Sequence, residues 1–520
     1  MPLKFAHDYL YPHVIPHHAR FSANRVAVIC GAESLTWAEL EQHTSQVANA
    51  LIAAGIRRGD KVCLFMNNSL LTFELFWGII RSGAVVVALN TLVSGDTLAR
   101  FIDNSGGKLL FVDEDALPIV EPVLGSLRDL RREQVIVAGA SDGWCSAEEM
   151  IARADKAPVW VDVEPSDSIN IVYTSGSTGA PKGIEHSHLA RHSYTFGMGH
   201  WFGFSRESVT LLATPLYANG TWATMGPCMY RGGTCVIMER FSAAGFAELV
   251  ERHRCTHAFL VPTQTIQILS LPSLAQHDLS SFRVLYSAGQ ALMPKTFDEI
   301  GEKLRQAEIW EVYGMSEGFC TVIGPPDYAR GKRGSVGKPM ILDDIRIVDD
   351  RGRELPVGEI GEICGYSVGL MKGYYNDPAA TEKAIWYGPD GRSYFRSGDL
   401  GRFDADGYLY ICGRSKDIIK SGGINVFPTD IEAVFASHPA VSEVAVVGAP
   451  HEKWIETPVA FVILRLGAST SAAELMEWAN GRLGKFQRVS AVNVVPHLPR
   501  VTYGKVNKPA LRAQLSQSIP

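Results

Sequence analysis

No stretch of the 520-residue sequence holds the roughly 20 consecutive apolar residues that a membrane-spanning helix needs, which argues against a helical membrane protein. The N-terminus, MPLKFAHDYLYPHVIPHH, mixes histidine, proline and acid and lacks the apolar centre of a secretory signal. The final residues, SQSIP, carry no receptor-read address. Paired cysteines are missing as well. The nine cysteines, among them Cys30, Cys63, Cys228, Cys364 and Cys412, are scattered and form no CxxC. They are expected to be reduced and mostly buried, not a disulfide framework or a thiolate metal site. An excess of positive charge is absent too: net charge is −6 and the isoelectric point is near 6.2. That excludes a nucleic-acid or anionic-membrane partner, both of which call for basic patches. A phosphorylated substrate stays compatible, because a few local lysines suffice for it. A fixed repeat period is also lacking, so a solenoid is excluded. The expectation is a cytoplasmic protein, monomer or homodimer.

What is present suits a globular chain: 46% hydrophobic and 20% charged residues. The length favours two or more domains. Short β-branched runs alternate with helical patterns, the mark of α/β layering. Trp37, Leu40, Val47, Leu51 and Ile52 fall at helical spacing between Thr36 and Ala53. A strand from Lys61, a helix from Leu71 to Arg81 and a strand from Ala84 follow. The same alternation runs through Thr234 to Met238 (strand), Phe241 to His253 (helix) and Ala258 to Val261 (strand). From about Ile345 the texture turns β-rich, with DDRGR at Asp349 and DADG at Asp404 reading as tight turns. The polar, glycine-marked CGRSKD at Cys412 reads as a hinge. Beyond it the pattern predicts a helix from Pro428 to Ser437, strands at Val441 to Val447 and Pro458 to Leu464, and a helix from Ala472 to Leu483. The expected boundary lies near Gly413, giving domains 1–412 and 413–520, the second of ordinary independent size.

The strongest local signal is IVYTSGSTGAPKG, from Ile171 to Gly183. A strand enters a loop with three glycines, four Ser/Thr hydroxyls and one lysine. Glycines let backbone N–H groups converge on an anion, hydroxyls add donors, and the lysine adds a mobile charge. This is a phosphate cradle but not a Walker A loop, whose lysine would follow the last glycine and precede Ser or Thr.

TSGSTGAPKG resembles the signature loop of the adenylate-forming superfamily of acyl-CoA synthetases, peptide-synthetase adenylation domains and luciferase-like enzymes. EVYGMSE (Glu311 to Glu317), YFRSGD (Tyr394 to Asp399), GRSKDIIK (Gly413 to Lys420) and LPRVTYGK (Leu498 to Lys505) resemble its further motifs, in its order. The likeness runs from LTWAEL at Leu35 to the last helix and is closest to AMP-forming acyl-CoA or aryl-CoA ligases. It implies a large layered α/β N-terminal domain with a small β-rich layer, and a small mobile α+β C-terminal domain. Thr174, Ser175, Gly176, Ser177, Thr178, Gly179 and Lys182 would hold the ATP phosphates, and Ala288, Gly289, Gln290 and Gly314 would flank the nucleotide. Tyr313 would stack on adenine, Ser316 would contact the α-phosphate and Glu317 would bind Mg²⁺. Asp399 and Arg414 would bind ribose, and Lys505 would reach the reacting carboxylate. Lys416 would be the hinge.

SGGINVFP at Ser421 resembles the stretch that acyl-CoA ligases use, so Gly422 and Gly423 would let the pantetheine arm of coenzyme A pass. Tyr217, Ala218, Asn219, Trp222, Ser287, Met315, Gly318 and Phe319 are the expected wall of an acyl pocket. It is apolar, as a fatty, alicyclic or aromatic acid requires. No Asp follows Tyr217 to pair with an α-ammonium, which argues against an amino acid. Four departures stand out: Ser316 replaces a usual threonine, Glu311 a usual neutral or aspartate adenine contact, Ala218 a common histidine, and Ile455 a frequent glycine. A stand-alone aryl-acid enzyme that loads a carrier-protein phosphopantetheine is the alternative; a luciferase-like oxygenase and a non-enzymatic nucleotide-binding module fit less well.

Overall fold

The computed structural model describes residues 9–139, 142–174, 182–422, 424–465, 467–500 and 506–517. Two large sheets carry most of the chain. In an eight-stranded sheet, Ser168–Thr174, Val85–Ala88, Lys61–Phe65 and Leu109–Asp113 run parallel side by side. In a nine-stranded sheet the parallel run includes Val209–Leu212, His257–Leu260, Val284–Ala288 and Glu308–Gly314. Their strands are mostly apolar because both faces of each sheet are covered. Val62 and Leu64 enter the core that the two sheets share, while Cys63 and Phe65 enter an outer core. Leu212 likewise joins the shared core and Leu211 the outer core of the second sheet. Helices Leu70–Arg81, His188–Trp201 and Asn219–Arg231 supply Phe73, Phe76, Trp77, Met198 and Trp222 to the shared core. The expected first helix is Trp37–Ala53. Thr36 and Glu39 cap it reciprocally, a device worth about 1 kcal/mol.

A five-stranded layer follows, built from residues 344–414. The turn at Asp404 joins its strands Ser393–Phe403 and Leu409–Arg414. The turn at Asp349 closes on a single bridge from Val348 to Glu354 instead of a full second strand. Ile345, Ile347, Ile363, Phe395 and Leu409 from this layer pack with Ile184, Phe319 and Tyr374 from elsewhere. Close approach requires glycine at Gly365, where a Cβ would come within 2.1 Å of the Phe319 ring. The layer is thus locked onto the Lys182–Ser187 strand and the turn after Tyr313.

Residues beyond 418 form a separate five-stranded sheet with its own core of Ile431, Phe435, Val446, Ala460, Val462 and Leu475. Its central hairpin, Val441–His451 with Ile455–Leu464, is longer than expected. Pairing continues through the polar ends that an apolar run does not mark. The helix from Ala472 is shorter, ending at Asn480. All nine cysteines are free, and only Cys145 is exposed. Among the described residues no helix is long and apolar enough to cross a membrane.

Ile455 opens its strand at φ +70° and is 68% exposed. A β-branched residue is strained in that region, and little burial compensates it here. Ile455→Gly is expected to raise stability by about 1 kcal/mol, the relieved strain exceeding the entropy of the added glycine. Urea unfolding followed by the Trp454 environment would check this, and a lowered midpoint would contradict it.

Candidate active site

Three strands bring the first cluster together. Glu308–Gly314 delivers Tyr313, Ser393–Phe403 delivers Asp399, and Leu409–Arg414 ends in Arg414. Asp399 and Arg414 face each other across an antiparallel pair. The Tyr313 hydroxyl donates to Asp399 Oδ2 at 2.9 Å, and Arg414 Nε lies 3.2 Å from Oδ1. Asp399 is only 8% exposed. Burial, and after it the Asp399 charge, pushes the Tyr313 phenol well above its usual pKa, so it remains a donor. Three residues on three strands thus form one unit, joined by a hydrogen bond and an ion pair.

The second cluster surrounds the turn after Tyr313. The Lys182 ammonium lies 4.9 Å from the centre of the Tyr374 ring, and the Tyr374 hydroxyl donates to Glu317 Oε1 at 2.9 Å. Tyr374 reaches this place because Gly373–Tyr374 pairs with Ile184 and Glu185 beside Lys182. Sequence reasoning passed over Tyr374: in GYYNDP it has the look of an ordinary turn aromatic, and only the sheet pairing sets it apart. It also passed over His186, whose Nε2 lies 2.7 Å from the Ser316 carbonyl oxygen.

Thr174 and Lys182 are cross-strand partners, so the two ends of the predicted phosphate loop adjoin. Ser175, Gly176, Ser177, Thr178 and Gly179 themselves, with Gly423 and Lys505, lie outside the described residues. Ala288 ends its strand, Gly289 turns the chain at φ +93° and Gln290 is exposed. Glu311 accepts from the Leu292 N–H at 2.9 Å and the Tyr328 hydroxyl at 3.0 Å. It therefore pins the segment that follows Gln290. Gly314 allows close packing, since a Cβ there would sit 2.7 Å from Cys320 Sγ.

The expected acyl wall divides. Asn219 begins its helix just after Tyr217 and Ala218, with Oδ1 buried and without a hydrogen-bond partner among the described residues. Trp222 is 2% exposed and packs against Tyr11, Phe76 and Trp77. Phe319 is likewise a core side chain, 0% exposed. Ser287 lies on the strand Val284–Ala288. Side chains alternate along a strand, and its neighbour Tyr286 faces the core that holds Trp222. Ser287 therefore faces the side that holds Leu285, opposite Trp222. Met315 packs onto the β-rich layer, and a Cβ on Gly318 would come within 2.7 Å of Leu370 Cα.

Gly422, at φ +59°, is roofed by Trp454 and Phe486, whose rings a Cβ would meet at 2.8 and 3.0 Å. The segment around Lys416, expected as a hinge, is tied to the last helix by Arg512, which donates to Asp417 at 2.8 Å.

Behind the site, Asp343 accepts the Cys320 N–H at 2.7 Å. Burial raises its pKa from 3.8 to about 6. Between those values the folded chain keeps a proton that the unfolded chain releases, so this group's contribution falls as pH rises from about 4 to 6. Asp343→Asn keeps an acceptor without the charge. It is expected to stabilise the protein by about 2 kcal/mol above pH 6 and to be neutral below pH 4. Melting both proteins at pH 4 and pH 7 checks this; a gain confined to pH 4 would refute it.

Residues 15–375 match the family model described as AMP-binding enzyme, and residues 430–505 match that of the AMP-binding enzyme C-terminal domain. Long-chain-fatty-acid–CoA ligase FadD13 of Mycobacterium tuberculosis is 32% identical over 94% of this chain and 94% of its own. Feruloyl-CoA synthase of an Amycolatopsis species is 32% identical over 95% and 96%. Among solved structures, ATP-bound MatB from Rhodopseudomonas palustris superposes with a TM-score of 0.86 at 29% identity, covering 97% of this chain and 98% of that one. The two matched regions, in the order and with the layered architecture seen above, make this chain a member of the AMP-binding family of adenylate-forming acid–thiol ligases.

Proposed function

We propose that the protein joins a hydrophobic carboxylic acid (fatty, alicyclic or aromatic) to the thiol of coenzyme A, through an acyl-adenylate made from ATP with release of pyrophosphate. The observation that carries this reading is the pair of polar clusters at the Tyr313–Glu317 turn: Tyr313–Asp399–Arg414, joined by a hydrogen bond and an ion pair, and Lys182–Tyr374–Glu317, joined by a cation–ring contact and a hydrogen bond. Carboxylate attack on a phosphate sets anion against anion, so the site must supply positive charge and align the reactants.

Tyr313 would stack on adenine. The Asp399 carboxylate has lone pairs left beyond those taken by Tyr313 and Arg414, enough to accept the ribose hydroxyls. Thr174, the loop through Gly179 and Lys182 would hold the outer phosphates, and the Ser316 hydroxyl would donate to the α-phosphate. The Glu317 carboxylate has one oxygen tied to Tyr374, and its other has no hydrogen-bond partner among the described residues. No cluster of three or more metal-ligating side chains occurs among those residues. A single free carboxylate oxygen suits Mg²⁺, which keeps water and phosphate ligands instead of an all-protein cage. That ion, when bound, would neutralise phosphate charge. Lys505 would bridge the incoming carboxylate and the α-phosphate. Rotation about Lys416 would then withdraw it and open the Gly422–Gly423 passage to the thiol.

Both relatives are named for CoA chemistry, which supports coenzyme A as the acceptor. Their acids differ, so the acid is sought with a panel: pyrophosphate release from ATP and Mg²⁺ with fatty, alicyclic and aromatic acids, with and without CoA. CoA-dependent AMP formation with at least one acid is expected. Adenylation with transfer only to a carrier-protein phosphopantetheine would select the alternative acceptor, and no AMP from any acid would refute the reading.

A further inference from the structure

Side chains alternate along a strand, so Lys182, Ile184 and His186 share one face of Lys182–Ser187. Lys182 sits over Tyr374 and Ile184 packs with Phe319 and Tyr374. His186 has no part in the nucleotide contacts above, yet it is 2% exposed and its Nε2 lies 2.7 Å from the Ser316 carbonyl oxygen.

Its ring is oriented from behind. Arg191 Nη2 lies 3.2 Å from His186 Nδ1, Arg191 Nε donates to Asn170 Oδ1 at 2.9 Å, and the guanidinium sits 4.7 Å from the centre of the Trp222 ring. A guanidinium carries donors only, so Nδ1 must accept, and the proton of the neutral ring is on Nε2, where it donates to Ser316. Burial, reinforced by the Arg191 charge, pushes the His186 pKa well below its usual value and keeps the ring neutral. The next carbonyl, that of Glu317, accepts from the Met371 N–H at 2.7 Å. Both carbonyls of the Ser316–Glu317 turn are therefore tied, one by backbone and one by His186. A one-residue rotation of this turn would displace a hydroxyl and a carboxylate together.

We infer that His186, oriented by Arg191, is a positioning residue that holds the Ser316–Glu317 turn so that its hydroxyl and carboxylate meet the nucleotide phosphates in register. This rests on the proposed adenylation reaction. An ordinary buried histidine would affect stability alone. A positioning residue affects the adenylation step selectively, and a substitute donor restores it.

The test compares wild type, His186→Leu and His186→Gln as full-length proteins. Single-turnover pyrophosphate release, KM for the acid, half-saturating Mg²⁺, thiolysis of supplied acyl-adenylate and the melting midpoint are measured for each. For His186→Leu, adenylation is expected to fall about 30-fold and half-saturating Mg²⁺ to rise, with acid KM and thiolysis within about twofold. His186→Gln, which can donate from its amide, is expected to recover most of the rate. A folded leucine variant with wild-type adenylation, or equal losses in both half-reactions, overturns the inference. If the leucine variant does not fold, the glutamine variant decides: near-wild-type adenylation supports the role, and a full loss in folded protein overturns it. Wild-type silence with every acid would sink the functional reading and this role together. An active wild type with an indifferent His186→Leu sinks only the role.

Discussion

Lys505→Ala is expected to slow acyl-adenylate formation by about a thousandfold while leaving thiolysis of supplied acyl-adenylate within about threefold of wild type. The asymmetry follows from where negative charge builds. In the first half-reaction a carboxylate closes on the α-phosphate as charge moves to the departing pyrophosphate, and a cation bridging the two is worth most there. In the second, a thiol attacks a neutral carbonyl carbon and AMP departs, and the proposed rotation has already withdrawn the lysine. Rapid-quench measurement of ATP-to-AMP conversion with the acid, alongside CoA-dependent consumption of synthetic acyl-adenylate, separates the halves. Equal damage to both would remove Lys505 from its assigned role.

Glu317→Gln is expected to lower adenylation by about a hundredfold and to raise half-saturating Mg²⁺ about tenfold, with little change in melting temperature. The substitution is nearly isosteric, and its amide oxygen can still accept from the Tyr374 hydroxyl, which donates at 2.9 Å in the native site. What it removes is the formal charge that would attract a hard cation. Titration of Mg²⁺ at saturating ATP reads this directly. An unchanged Mg²⁺ dependence would show that Glu317 serves the packing of its turn and not the metal.

The α/β layering was legible because buried parallel strands and amphipathic helices differ in period, and Thr36 with Glu39 marks a helix start within four residues. Element ends were less so. Ile455 to Thr457 continue a strand by pairing with His451 to Ala449, a contact with no apolar signature. Tyr313, Asp399 and Arg414 stood out in the sequence as separate motif residues but not as one bonded unit. That Tyr313 donates to Asp399 is a consequence of how the nine-stranded sheet meets the β-rich layer.

The hydroxyl-rich glycine loop pointed on its own to a bound phosphate, since converging N–H groups, hydroxyls and a lysine at close spacing suit an anion, and the linear order of five motifs carried the family resemblance that implies a nucleotide and an organic acid. Tertiary structure alone decided which side chains reach the Ser316–Glu317 turn. Trp222 went to the core, Ser287 to the opposite sheet face, and Tyr374 and His186 came in beside Glu317 and Ser316. Strand register and the parity of side chains across a sheet bring together residues up to about 190 positions apart, and no local pattern encodes either.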